Sequence, residues 1–266
     1  MIIDFHTHIF PDKIADRAIE GLKKSSGYEN AVGGRASELI AEMESVGIDY
    51  CVNLPILTNP SHFSGTLDKL EAQNAEIKKI ISFGAIHPLT ENLKQSVREI
   101  KNRGFSGIKI HPFFQNTKVC AIECERLIGY ASEQDLITVI HTGTDASFPD
   151  EVMASPAQLL KMYNDVKPEK LVLAHLGALG YVDEVISDMC GMNAYFDLSF
   201  TLHDLPFEKI EQVILKHGAD KILFGSDSPW ASPKKYVEIF NSYPLDDSVK
   251  SKILGDNAVK LLKLRV

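Results

Sequence analysis

Asp4-Phe5-His6-Thr7-His8, directly after the short apolar start Met1-Ile2-Ile3, is the stretch on which the reading of this chain turns. If residues 2–6 form a strand, side chains alternate between its faces, and His6 and His8 point the same way. Two imidazoles on one side of a strand end can grip one divalent ion. A lone His-x-His reads equally well as a turn followed by a surface residue, so the other histidines decide.

Working outward, short β-branched runs alternate with amphipathic stretches. Strands are expected over residues 2–5, 50–54, 81–86, 107–110, 137–140, 171–174, 194–198 and 222–224. Between them, Leu39, Ile40, Met43 and Val46 form one helical stripe closed by Gly47, and Leu93, Val97 and Ile100 form another that stops near Gly104. Leu159, Leu160, Tyr163 and Val166 precede Pro168, and Ile210, Val213, Ile214 and His217 precede Gly218. Eight strands alternating with helices predict a parallel α/β sheet with right-handed crossovers. Eight also closes a (β/α)8 TIM barrel, although a doubly wound sheet reads almost the same locally. No composition shift divides the 266 residues, so one domain over 1–266 is expected. Two loops exceed what a barrel needs: 25–34 (SSGYENAVGG) and 142–156, which carries Phe148 and Pro149. Loops of that length are usually lids or binding loops. The tail, residues 248–264, reads as a closing helix that packs.

There are nine histidines. Six of them (His6, His8, His87, His111, His141 and His175) fall at the C-terminal ends of expected strands. Such windows cover roughly a tenth of the chain and would hold about one histidine by chance, and barrel active sites occupy that rim. The clustering argues for a site rather than for scattered core histidines. The eighth strand adds an anion in Leu223-Phe224-Gly225-Ser226-Asp227-Ser228-Pro229-Trp230. A carboxylate leaving an apolar strand costs free energy unless paired or bound to metal. Turn chemistry before Ser-Pro is the rival reading for Asp227.

The chain is 44% hydrophobic and 24% charged, ordinary for a globular protein, with net charge -8 and no lysine or arginine run. That balance argues against nucleic acid or an anionic membrane as partner. Neither a secretory leader nor a spanning segment is read, and the four cysteines lack Cys-x-x-Cys spacing, so free thiols and a cytoplasmic location are expected. Cys120 and Cys124 could share a helix face, but plain thiols are the simpler account.

His6-Thr7-His8, His141 in Val-Ile-His-Thr-Gly, His175 in Leu-Ala-His-Leu-Gly and Asp227 in Gly-Ser-Asp-Ser-Pro-Trp resemble the amidohydrolase superfamily. The branch is the amidohydrolase-related one that includes aminocarboxymuconate-semialdehyde decarboxylase, and Gly255-Asp256-Asn257-Ala258 before a leucine-rich helix also fits it. The resemblance spans the chain, with its motifs in the family's order. It implies that His6, His8, His141 and Asp227 hold one divalent ion, most often zinc, and that His175 handles protons beside it. In two-metal members a carboxylated strand-four lysine bridges the ions, and Lys109 occupies that strand here. Alternation puts Lys109 one layer below His111, and pairing with a core carboxylate such as Asp4 is the structural role expected for it.

The implied chemistry is hydrolysis of an amide, ester or lactone of a small molecule, by water whose pKa the ion lowers, with Asp227 and His175 as catalytic groups. Non-oxidative decarboxylation on the same site is the rival. It needs a cation to orient the substrate carboxylate, and Arg17 and Arg35, the only plausible arginines, read as surface residues. A phosphodiesterase fits the acidic chain less well, and a non-catalytic metal-binding barrel would be favoured only by a missing ligand. For substrate contacts the rim residues are His111, Lys109, Trp230 and Phe148, with His62, Phe113, Phe114 and His203 behind them. His87 serves the cavity or a structural bond, and His217 reads as a cation closing a helix. A homo-oligomer is possible but not indicated.

Overall fold

The computed structural model describes residues 1–265. Nine short strands run parallel: β1 (Ile3–Thr7), β2 (Tyr50–Asn53), β3 (Ile80–Ser82), β4 (Gly84–Ala85), β5 (Gly107–Ile110), β6 (Ile137–Ile140), β7 (Leu171–Leu173), β8 (Tyr195–Asp197) and β9 (Ile222–Leu223). They pair in chain order, β1 to β3 and β4 to β9. The ring closes where Phe5 N donates to Phe224 O (2.9 Å), Asp227 N to His6 O (2.8 Å) and His8 N to Ser228 O (2.7 Å). The architecture is a (β/α)8 barrel, and the doubly wound alternative falls away.

The third strand, expected as one run over 81–86, is broken. Its pairing with β2 ends at Ser82 and its pairing with β5 starts at Gly84. Phe83 turns into the barrel between the two halves and fills the space above Gly107, where a Cβ would come within 2.4 Å of its ring. Bulk at one position and its absence at the next strand are a matched pair.

Residues on alternate strand positions separate into two layers. Val52, Leu54, Phe83, Ile137, Val139, Val172 and Leu223 fill the interior, while Ile108, Ile110, Ile140, Leu173 and Phe224 pack against the surrounding helices. Expected helical stripes lie on Ala36–Val46, Leu93–Asn102, Pro156–Val166 and Phe207–His217, the first ended by Gly47 at φ 72°. Such a left-handed stop costs a glycine little.

Simple alternation fails in β1, and the failure matters. Ile3 and Phe5 belong to the interior layer, yet the adjacent His6 also faces inward. Asp4 opposes Cys51 and Thr7 opposes Asn53, so β1 carries one extra residue there. A bulge of this kind re-aims side chains.

The tail forms the expected helix, widened in its middle. Asp247–Ser251 and Asn257–Leu262 are joined by a wider turn over Lys252–Asp256, where Gly255 lies against the Met1 carbonyl. Ala258, Leu261 and Leu262 plug the N-terminal end of the barrel. Asn257 anchors the plug by donating to the carbonyls of Ala219 and Ile222, both at 2.7 Å. Asn257→Ala should cost about 1–3 kcal/mol by leaving those carbonyls unpaired. Thermal unfolding should show the loss while metal uptake stays unchanged.

Candidate metal centre and its cavity

His6 is completely buried, and its Nδ1 lies 2.8 Å from Asp197 Oδ2. Burial alone would raise the Asp197 carboxyl, but the His6 imidazole beside it overcomes that and holds it well below the carboxylate range. A carboxylate only accepts, so the His6 proton sits on Nδ1 and its Nε2 is bare. Burial first, then the Lys109 charge, lowers the His6 pKa to about 4. The His8 tautomer is fixed in the same way: Nδ1 donates to the Leu54 carbonyl at 2.9 Å, which leaves Nε2 toward the cavity. Asp227 Oδ1 stands 3.4 Å from His6 Nε2 and 3.1 Å from His8 Nε2. Burial would raise Asp227 as well, yet the imidazoles of His6 and His8 hold it well below its usual value.

Two bare nitrogens and a carboxylate oxygen thus face one another, all three within 4.8 Å. Three lone pairs in so small a volume ask for a cation. The donor set, two neutral imidazoles and a carboxylate, suits a divalent transition metal. These residues fit such an ion.

His141 is placed differently from the expected ligand set. It stands with His111 and Asp145 as a second group of ligand-type side chains. His175 Nδ1 faces the Ser199 carbonyl at 3.0 Å and so carries a proton, and its Nε2 accepts from His141 Nδ1 at 2.9 Å. His141 Nε2 is 3.1 Å from the Thr144 carbonyl and 3.7 Å from Asp145 Oδ2. The His141 ring also stacks on His111 at 4.1 Å. His8, His6, His175, His141 and His111 form a continuous arc, each ring centroid 4.1–5.2 Å from the next.

Lys109 corrects one expectation. It does not pair with Asp4; its Nζ donates to His6 Nε2 at 3.1 Å. Burial lowers its pKa to about 8, with Asp197 and Asp227 pulling the other way. Asp4 instead accepts from Ser226 N (2.9 Å), Ser226 Oγ (2.6 Å) and His6 N (3.2 Å), which seals β1 to the end of β9. The backbone is strained where the chemistry converges: Asp227 has φ 73° and His175 φ 56°. Both are held by their own N–H groups, Asp227 to His6 O at 2.8 Å and His175 to Asp197 Oδ1 at 3.0 Å.

The arc opens into a cavity of about 1130 Å3 that also takes in Asp227, Trp230 and Phe114. Its wall is mostly apolar, with Phe10, Leu22, Leu54, Leu179 and Phe200 prominent. The two long loops roof it. Ser25 Oγ meets Ser147 Oγ at 3.0 Å, and the Tyr28 ring edge packs on Phe200 at 5.1 Å.

Other expected contacts fall away. Phe148 lies outside the cavity wall, packed on Phe113 and Phe114. Phe113 is buried against His141. His62 is exposed in a short turn, and His203 bonds Tyr236 through Nδ1 at 2.7 Å; neither lines the wall. His87 Nδ1 accepts from Leu89 N at 3.1 Å, a turn role. His217 is buried between Gly191 N and Ala194 O and stacked on Phe196, and burial lowers its pKa, so it is a neutral bridge rather than a helix-ending cation. Arg35 pairs with Asp16 and Glu38 at the surface, and Arg17 is exposed.

Three polar residues of the site, Asp197, Ser199 and Asp145, do not stand out from the sequence motifs. Asp197 in Tyr-Phe-Asp-Leu-Ser-Phe is a carboxylate inside an apolar strand, the same signal that singled out Asp227. Asp145 lies in the long loop 142–156.

A search of curated sequences gives no match. The family model described as amidohydrolase matches residues 3–264. The chain belongs to the amidohydrolase family. Among solved structures, a 2,6-dihydroxybenzoate decarboxylase complexed with 2,6-dihydroxybenzoate superposes with TM-score 0.71 at 16% identity, covering 99% of each chain. The 5-carboxyvanillate decarboxylase of Sphingomonas paucimobilis gives 0.72 at 15%, again over 99% of each chain. A dihydroxybenzoic acid decarboxylase from a Polaromonas species, holding manganese and 2-nitroresorcinol, gives 0.74 at 16%, over 100% of this chain and 98% of that one. At such identities the likeness is one of fold. Among the described residues no helix is long and apolar enough to cross a membrane.

Two outcomes follow for this centre. Asp197→Asn should weaken metal binding about 10–100-fold, since it loosens the group that orients His6, as measured by titration against a competing chelator. In acid, five buried histidines (His6, His87, His111, His141 and His217) sit below their ordinary value, against Asp4 and Asp145 above theirs. From pH 6.5 down to about 4, the His6 value, the unfolded chain therefore binds more protons than the folded one. The melting temperature of metal-free protein should fall across that window; a flat profile would contradict a cluster of buried, neutral histidines.

Proposed function

We propose that the protein is a divalent-metal-dependent decarboxylase of an aromatic carboxylic acid. The observation that carries this is the trio of His6 Nε2, His8 Nε2 and Asp227 Oδ1 at the end of a largely apolar cavity. Further support comes from fold relatives that are named as decarboxylases of hydroxylated aromatic acids, one of them with manganese bound. Hydrolysis, the first expectation from the sequence, becomes the second reading.

His6, His8 and Asp227 would hold the ion, with His141 next in the arc to complete the set. When bound, the ion would supply positive charge that holds and orients the substrate carboxylate. The donor set suits manganese as well as the expected zinc. The apolar wall keeps water from the body of the substrate. Carbon dioxide leaves, and the electron pair of the broken bond restores the aromatic ring, once the ring carbon that bears the carboxylate has taken a proton. His175, linked to His141 through Nε2 and to Ser199 through Nδ1, is placed to relay it. Asp227, held ionised, is placed to take a proton from a substrate hydroxyl or water and return it.

Metal-loaded protein incubated with hydroxybenzoates should release carbon dioxide and the matching phenol, and a chelator should stop it. Release of alcohol or amine from esters, lactones or amides, without carbon dioxide from any acid, would move the reading to hydrolysis. His175→Asn should lower turnover about 10²–10⁴-fold, as for loss of a proton-handling group, while metal content holds.

A further inference from the structure

The cavity is far larger than one ring requires. A dry cavity of about 150 Å3 accommodates benzene, whereas this one measures about 1130 Å3. Pockets for drug-sized ligands measure about 300–1,000 Å3. Buried histidines of the arc and Asp227 lie on one part of the wall, and much of the rest is apolar, with Phe10, Leu22, Leu54, Leu179, Phe200 and Trp230. Leu22 lies on the helix Ala15–Ser26, so the apolar wall extends to the first crossover.

Charge narrows the ligand further. Among the described lining residues Lys69 is the only lysine or arginine, and it is exposed. Asp12 and Asp204, also exposed and also on the wall, outnumber it. A second anionic group on a substrate would therefore meet no buried cation and more negative than positive charge. An extended apolar group would meet a wall that is mostly apolar.

We propose that the site takes a monocarboxylic acid whose single carboxylate goes to the histidine arc and whose body is large, uncharged and apolar, such as an aryl acid with a second ring or a hydrocarbon arm. This rests on the decarboxylase reading for the head group and adds the class of the tail.

The test is calorimetric binding to metal-loaded protein, using benzoate, 4-hexylbenzoate and 4-(5-carboxypentyl)benzoate as probes. Burying a methylene is worth about 0.8 kcal/mol, and a factor of ten needs about 1.4 kcal/mol. 4-Hexylbenzoate should bind at least about tenfold tighter than benzoate, and the added carboxylate should cancel that gain. Leu22→Asp, with its folding checked by thermal unfolding, should shrink the ratio between hexylbenzoate and benzoate. Equal affinities for the first two probes, or a dicarboxylate binding as tightly as hexylbenzoate, would overturn the tail assignment and leave the decarboxylase reading intact. If no probe binds, or binding ignores removal of the metal, the head-group reading fails and takes this one with it.

Discussion

One hydrogen bond, His6 Nδ1 to Asp197 Oδ2 in the buried interior of the barrel, governs the rest of the site. It fixes which nitrogen of His6 carries the proton and so leaves the bare Nε2 of a buried histidine facing Asp227 and Lys109. Hydrogen bonds to charged groups contribute about 1.5–3 kcal/mol, enough to hold one tautomer almost completely. The same carboxylate also receives the backbone N–H groups of His175 and Ser199, both at 3.0 Å. Asp197 therefore orients the candidate metal trio, through His6, and the His175 end of the arc together. Loss of its charge would disturb both.

The barrel is shaped to make that contact. The extra residue in β1 turns His6 inward beside Phe5, and the Asp4 carboxylate locks the same strand to Ser226 across the seam. Asp227 emerges two residues after Gly225, where a Cβ would sit 2.9 Å from that of His6. A side chain at position 225 would push the two partners apart. Closure of the barrel and assembly of the centre are thus one event, and apolar packing below the seam, plugged by Leu261 and Leu262, underwrites both.

Much of this is legible in the chain. Strand positions follow from β-branched runs, because buried parallel strands must be apolar on both faces. Histidines at strand ends stand out since the core has no other use for so many. What escapes has physical causes. The bulge in β1 adds one residue without changing composition, so alternation alone cannot show that Phe5 and His6 share the interior. Lys109 is expected to find Asp4, but the seam with Ser226 claims that carboxylate, and His6 Nε2 is the acceptor left within reach. His217 looks like a helix-end cation because exposure is invisible in a sequence; buried against Phe196, it is neutral. His141 is recognisable as a rim histidine, but its hydrogen bond to His175 depends on tautomers set by the Ser199 carbonyl, a backbone group that no motif encodes.

The central claim is that His6, His8 and Asp227 form a single cation site oriented by Asp197. Metal content per chain, measured by plasma emission on protein purified without added metal or chelator, tests it most directly. The account predicts about one divalent ion per chain, lost in His8→Ala. About two ions would bring Lys109 in as a bridging ligand and contradict the single site. No ion, with none taken up on titration, would contradict the centre itself.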